Sequence, residues 1–131
     1  MLDINFSTKE LEQLKQSIQD QETSEESTLA ASSYKLGSNL EDELTVVYRQ
    51  NLQIVGYSLI HFNSSFTEIV LFEILVPFRK KGMGKVFLTQ LEDFVKSKGT
   101  KKIILDPVLN SNSWWKSNGY CDIGYHWQKS I

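Results

Sequence analysis

Between Phe66 and Gly99 the hydrophobic period changes once, and that change constrains the fold more than any other feature of the chain. "FTEIVLFEILV" (66–76) is the most apolar β-rich run in the sequence. From Lys85 onward Phe87, Leu88, Leu91, Phe94 and Val95 fall on a single helical stripe, and Gly99 is placed to end it. "KKIILD" (101–106) then reads as a buried strand. Strand, helix and strand in succession make a β-α-β crossover, which joins parallel neighbours. Upstream, "LTVVYR" and "IVGYSLIHF" are β-rich runs joined by "QNLQ", a hairpin signal, so an antiparallel meander feeds the crossover. The predicted class is α+β in three layers, a mixed sheet with helices on it.

The remaining segments fit that frame. "LDINF" alternates and reads as an edge strand. Ser7 and Glu10 form an S-x-x-E capping box ahead of Leu11, Leu14 and Ile18 on one helical face. A second box, Thr23 to Glu26, predicts a helix carrying Leu29, Ser33 and Leu36, ended by Gly37. "NSWWKSNG" predicts a short helix with a glycine stop, and "YCDIGYHWQKSI" a terminal strand. The expected order is β-α-α-β-β-β-α-β-α-β over one domain, residues 1–131.

Several function classes fall away early. The lone Cys121 excludes an intrachain disulfide framework, and no Cys/His group has zinc-ligand spacing, so no metal is expected. "MLDINFSTKE" lacks the basic and apolar regions of a signal peptide, and no apolar stretch nears the roughly 20 residues of a membrane span. A cytoplasmic location without membrane contact is therefore expected. Net charge is −2 but unevenly spread: residues 1–43 hold ten acidic and three basic side chains, a net of −7, leaving +5 on residues 44–131. Two ligands of opposite charge would explain the asymmetry, and so would a solvated acidic helix pair.

The stretch "PFRKKGMGK" (77–85) sits at the strand-to-helix junction of the crossover. A helix start offers unpaired N–H groups and the positive end of a dipole to an anion. Gly82 and Gly84 let the backbone approach without a Cβ, while Arg79, Lys80, Lys81 and Lys85 add positive charge. A P-loop would require Ser or Thr after Lys85, where Val86 stands, and a dinucleotide fingerprint would require glycine at Phe87. What remains is Arg79-x-x-Gly82-x-Gly84 opening a helix.

At these residues the chain resembles the GNAT superfamily of N-acetyltransferases, whose acyl-CoA motif is a strand, [RQ]-x-x-G-x-[GA] and a helix; "ILVPFRKKGMGKVFLTQLEDF" matches it throughout. The element order is similar over nearly the whole chain. The resemblance implies a mostly antiparallel sheet with a splayed central parallel pair and helices on both faces. It also implies acetyl-CoA as co-substrate, its pyrophosphate held by the backbone of Arg79, Lys80, Lys81, Gly82, Met83 and Gly84. The pantetheine arm would pair with Ile74, Leu75 and Val76, and a strand bulge would open the gap that admits the thioester. A backbone N–H near Ile74 would polarise the thioester carbonyl, a donor worth about 10²–10³ in rate.

The acceptor amine must be uncharged to attack, yet an alkylamine of pKa near 10.4 is neutral in only about one molecule in 2,500 at pH 7. A carboxylate base can recover much of that deficit. Glu68 lies eleven residues before Arg79, the spacing of the general base in the histone-acetylating branch. Glu73 interrupts an otherwise apolar strand, where burial without purpose is costly. A regular strand sets the two on opposite faces, unless a bulge intervenes. The family's general-acid tyrosine, four residues before a G-[FY] pair, falls on Trp115, and an indole N–H has no proton to give up. Either the thiolate leaves without that acid, another tyrosine such as Tyr120 or Tyr125 supplies it, or the domain is a poor catalyst. The family's asparagine falls on Val108, with Asn110 or Asn112 as substitutes.

These residues lead to an N-acetyltransferase in which a primary amine attacks acetyl-CoA directly, in a ternary complex, as monomer or homodimer. The acidic first 43 residues favour a cationic acceptor. A catalytically weak acyl-CoA sensor is the alternative that Trp115 motivates. Nucleic-acid binding through Lys80, Lys81, Lys96, Lys98, Lys101 and Lys102 is not expected, since no aromatics interleave those lysines.

Overall fold

Asn51 and Leu52 both take left-handed backbone, with φ of +51° and +69°. Two such residues in a row make the type I′ turn whose twist matches a hairpin. They join β2 (Glu43–Gln50) to β3 (Gln53–Phe62), as "QNLQ" predicts. The computed structural model describes residues 1–20, 36–37, 42–108 and 110–131.

Strand β4 (Thr67–Ile74) continues the meander antiparallel to β3. Helix α2 (Met83–Ser97) then crosses over to β5 (Lys102–Leu105), which lies parallel to β4. With β1 (Leu2–Asp3), β6 (Cys121–Asp122) and β7 (Trp127–Ser130), the described residues form a seven-stranded sheet in the order β1-β2-β3-β4-β5-β7-β6, in which β4–β5 is the parallel pair.

The helices divide between the two faces because each stripe needs cover. In α1 (Thr8–Asp20) Leu14 and Ile18 are buried against Val47, Tyr57, Leu59, Leu71 and Leu75. The capping box that starts α1 forms in both directions: the Ser7 N–H donates to Glu10 Oε1 and the Glu10 N–H to Ser7 Oγ, each at 3.1 Å. On the opposite face Phe87, Leu88, Leu91 and Val95 of α2 pack on Val46, Tyr48, Ile60, Ile69 and Ile103. Each such side chain removed from water is worth about 1.5–3 kcal/mol. The short helix α3 (Asn112–Ser117) adds Trp115 to this second core.

Two expectations change at the chain ends. The first strand, β1, spans only Leu2–Asp3, because Asp3 Oδ1 accepts the Asn5 N–H at 2.9 Å and turns the chain away. The terminal run is two strands, β6 (Cys121–Asp122) and β7 (Trp127–Ser130), paired antiparallel. Asp122 Oδ1 accepts the Gly124 N–H at 2.8 Å, and Gly124 has φ +108°. That local turn is better satisfied than a continuous strand would be. The helix predicted from the Thr23–Glu26 box lies outside the described residues. Gly37, where it was to end, is left-handed (φ +77°) and its N–H donates to Thr45 Oγ1 at 2.9 Å. Among the described residues no helix is long and apolar enough to cross a membrane.

Candidate active site

The parallel pair is short. Strand β4 pairs with β5 at Thr67, Glu68 and Ile69 only, then runs on to Ile74 while β5 stops at Leu105. The register against β3 slips at the same point, from Ile60↔Ile69 to Leu59↔Leu71, which leaves Val70 as a bulge. From Val70 onward one edge of β4 therefore borders a gap rather than a strand.

Beyond β4 the chain makes a 3-10 turn at Val76–Phe78, with Pro77 in its first turn. Lys80 (φ +64°) and Gly82 (φ +79°, the N-cap of α2) both take left-handed backbone. These reversals bring the start of α2, with its unpartnered N–H groups, beside the open end of the gap. Lys80, Lys81, Gly82 and Lys85 are exposed there, while Met83 and Gly84 are partly covered.

The two glycines do different work. A Cβ on Gly82 would meet nothing within 4 Å, so the position is an open cradle with a backbone that favours glycine. A Cβ on Gly84 would lie 3.2 Å from Cζ2 of Trp114, so glycine there admits the indole onto α2. Trp114 in turn meets Trp115 edge-on at 4.8 Å and Phe72 at 5.8 Å, forming an aromatic wall beside the gap.

Along the end of β4, the Leu75 N–H donates to Val55 O at 2.8 Å, so that amide faces β3. Alternation along the strand directs the N–H and C=O of Ile74 to the other edge, toward the gap. The Ile74 carbonyl accepts Arg79 Nε at 2.7 Å. A terminal nitrogen of the Arg79 guanidinium is bound to Glu73 Oε1, so the positive charge that Arg79 brings to the junction faces a carboxylate.

The bulge also settles which way the two glutamates point. Because Val70 is an extra residue, Glu68 and Glu73 share the face covered by α1. Their surroundings differ. Glu73 is 8% exposed, and Oε2 accepts the Tyr57 hydroxyl at 2.5 Å. Glu68 is half-buried, between His61 of β3 and Ile104 of β5, one residue before the paired segment ends.

The downstream candidates are placed as follows. Trp115 is 6% exposed, ringed by Phe72, Trp114 and Tyr120, and is a core residue rather than a face of the cleft. Tyr120 is 1% exposed, and its hydroxyl donates to Glu92 Oε2 at 2.9 Å, which Lys129 Nζ also reaches at 3.0 Å. Burial first, then the Glu92 charge, pushes the Tyr120 phenol well above its ordinary range. Its proton is committed to α2, which does not suit a general acid. Tyr125 is 79% exposed, edge-on to His126 at 4.7 Å, in the β6–β7 turn. That turn lies just past Leu105, whose partner is Trp127, and so stands at the mouth of the gap. Asn110 (φ +67°) and Asn112 are exposed around the start of α3. Tyr57 and Trp114 carry no motif; Tyr57 becomes visible only once the β3–β4 register sets it opposite Glu73.

The sheet is thus splayed at its parallel pair, with a helix start and two glycines at the open end. The sequence profile of the acetyltransferase (GNAT) family matches residues 10–120, and the chain belongs to that family. No curated protein matches the sequence. Among solved structures, the PaiA N-acetyltransferase of Thermoplasma acidophilum in complex with coenzyme A is similar (TM-score 0.71, 19% identity), covering 100% of this chain and 99% of that one. Tetrahymena GCN5 superposes with a TM-score of 0.75 at 12% identity, over 99% of this chain and 94% of its own. An aminoglycoside 6′-N-acetyltransferase complexed with coenzyme A gives 0.76 at 13% identity, over 99% and 96%.

Proposed function

We propose that the chain is an N-acetyltransferase that moves the acetyl group of acetyl-CoA to a primary amine within a ternary complex. The observation that carries this reading is the unpaired edge of β4 from Val70 to Ile74, opening directly onto the glycine cradle at the start of α2. Acetyl-CoA supplies an activated thioester. The backbone of Lys80 to Gly84, with the Lys80, Lys81 and Lys85 ammonium groups, would hold its pyrophosphate. The Ile74 N–H, directed into the gap, would hydrogen-bond the acyl oxygen.

Of the two glutamates, Glu68 is the better base. Glu73 already accepts Tyr57 and Arg79 on its two oxygens, whereas Glu68 stands half-buried at the point where the strands part. Glu68 would take a proton from the acceptor ammonium, directly or through water. With Trp115 in the core and Tyr120 committed to Glu92, the departing thiolate would take its proton from water. The acceptor would be a cation, in keeping with the acidic first 43 residues.

Calorimetric titration with acetyl-CoA tests the binding half of this reading, with Gly82→Glu as the control that puts a carboxylate into the cradle. Binding by the wild type and its loss in Gly82→Glu are expected; equal binding by both would sink the assignment of the cradle. Thiol release from acetyl-CoA over polyamines, aminoglycosides and lysine peptides tests the chemical half. The burial of Trp115 and Tyr120 favours one other reading, an acyl-CoA-binding sensor with little turnover. That reading predicts tight binding, no amine-dependent thiol release and no effect of Glu68→Gln.

A further inference from the structure

The group left without a task by that mechanism is the buried carboxylate of Glu73. A carboxylate in an apolar strand is costly unless every lone pair is answered. Here Oε2 accepts the Tyr57 hydroxyl, and Oε1 accepts a guanidinium nitrogen of Arg79. Arg79 is fixed a second time through Nε to Ile74 O, 2.7 Å away, so the segment from Ile74 to Arg79 is closed into a ring. The next residue, Lys80, is a non-glycine in left-handed backbone, and such strain persists only where the surroundings hold it. Gly82 and the start of α2 follow immediately.

We propose that Tyr57 and Glu73 form a clamp that holds Arg79, and through it the 79–84 loop, in the shape that receives the pyrophosphate. This rests on the acyl-CoA reading of the loop. Glu73 is then a positioning residue for acyl-CoA binding: it touches neither ligand nor reacting atoms. The clamp also neutralises Arg79, so the cradle draws its attraction from backbone N–H groups and from Lys80, Lys81 and Lys85.

The sign of one substitution separates the clamp from plain electrostatics. Glu73→Gln removes a negative charge beside a site for a polyanion, and through space that alone would tighten binding. The clamp predicts the reverse: acetyl-CoA affinity falls about tenfold or more, the loss expected for a hydrogen bond to a charged group. Tyr57→Phe, which removes one hydroxyl and keeps the ring, weakens binding in the same direction by a smaller factor. Glu73→Gln combined with Arg79→Gln is no weaker than the worse single variant, because both break one interaction. Without any ligand, brief trypsin treatment cuts after Arg79, Lys80 or Lys81 faster in Glu73→Gln and Tyr57→Phe than in the wild type.

Calorimetric titration of the full chain with acetyl-CoA, and mass identification of the tryptic cuts, are the two measurements. Weaker binding with faster loop cleavage supports the clamp. Binding by Glu73→Gln as tight as the wild type or tighter overturns it. If Glu73→Gln does not fold, Tyr57→Phe carries the same decision. A wild type that fails to bind acetyl-CoA overturns the acyl-CoA reading instead, and the cleavage rates then decide the loop anchor by themselves.

Discussion

Gly82 and Gly84 are indistinguishable by their letters, and their neighbours assign them opposite constraints. At Gly82 the obstacle is backbone: φ is +79°, and the space where a Cβ would go is empty. Gly82→Ala should therefore cost about 1–2 kcal/mol of stability, the penalty of an L-residue in left-handed backbone, although the new methyl touches nothing. At Gly84 the backbone is helical, so alanine gains about 1 kcal/mol of helix propensity and spends it on the 3.2 Å contact with Trp114. Urea unfolding of the two variants should rank Gly82→Ala well below Gly84→Ala; the reverse order would mean that Trp114 cannot yield. The same scale shows what a sequence hides. That Glu73 needs a reason for burial is legible, but its reason is Tyr57, sixteen residues earlier and across a hairpin. Nothing in "EIVLF" marks Val70 as a bulge, since no glycine stands there, and so the shared face of Glu68 and Glu73 is not legible either.

Elements with local signals are the ones that read correctly. Ser7 and Glu10 start α1 through bonds spanning three residues, and the stripe of α2 is a property of one helix. Ser7→Ala should lower stability by about 1 kcal/mol, because it strips the Glu10 N–H of its acceptor at the helix start. Thermal unfolding checks this, with Ser7→Asp, which keeps an acceptor, expected to recover most of the loss. Glu10 has a second duty: it binds Arg49 Nη1 at 2.6 Å, while Arg49 Nε binds Asp3 at 2.9 Å, so α1, β1 and β2 meet on one guanidinium. That junction joins residues 39 and 46 apart in sequence, beyond the reach of any periodicity. The terminal hairpin shows the converse error. "YCDIGYHWQKSI" carries β-formers enough for one strand, but Asp122 and Gly124 cooperate in a turn that propensity summed over the run does not register.

For the molecule as a whole, topology was legible because the crossover and the meander leave few arrangements of the sheet. The splay was legible only through resemblance, since it depends on where β5 stops relative to β4. The two cores carry a further consequence that belongs to neither face alone. Tyr57 lies in the α1 core and Tyr120 in the α2 core, both almost fully buried, each donating to a glutamate. Burial, then the neighbouring carboxylate charge, pushes both phenols far above the ordinary value near 10. Above pH 10 the unfolded chain releases these two protons and the folded chain keeps them. The folded state then binds more protons, so stability falls as pH rises, by about 1.4 kcal/mol per pH unit for each tyrosine. Below pH 10 the contribution is fully present. Between pH 9 and 11 the wild type should lose about 3 kcal/mol from this source, on top of whatever the lysines contribute. Urea unfolding across that range should show the decline, and absorbance near 295 nm should show Tyr57 and Tyr120 ionising only as the chain unfolds. A Tyr57→Phe, Tyr120→Phe double variant, less stable at neutral pH, should have the flatter slope; a slope as steep as that of the wild type would assign the alkaline loss to other groups.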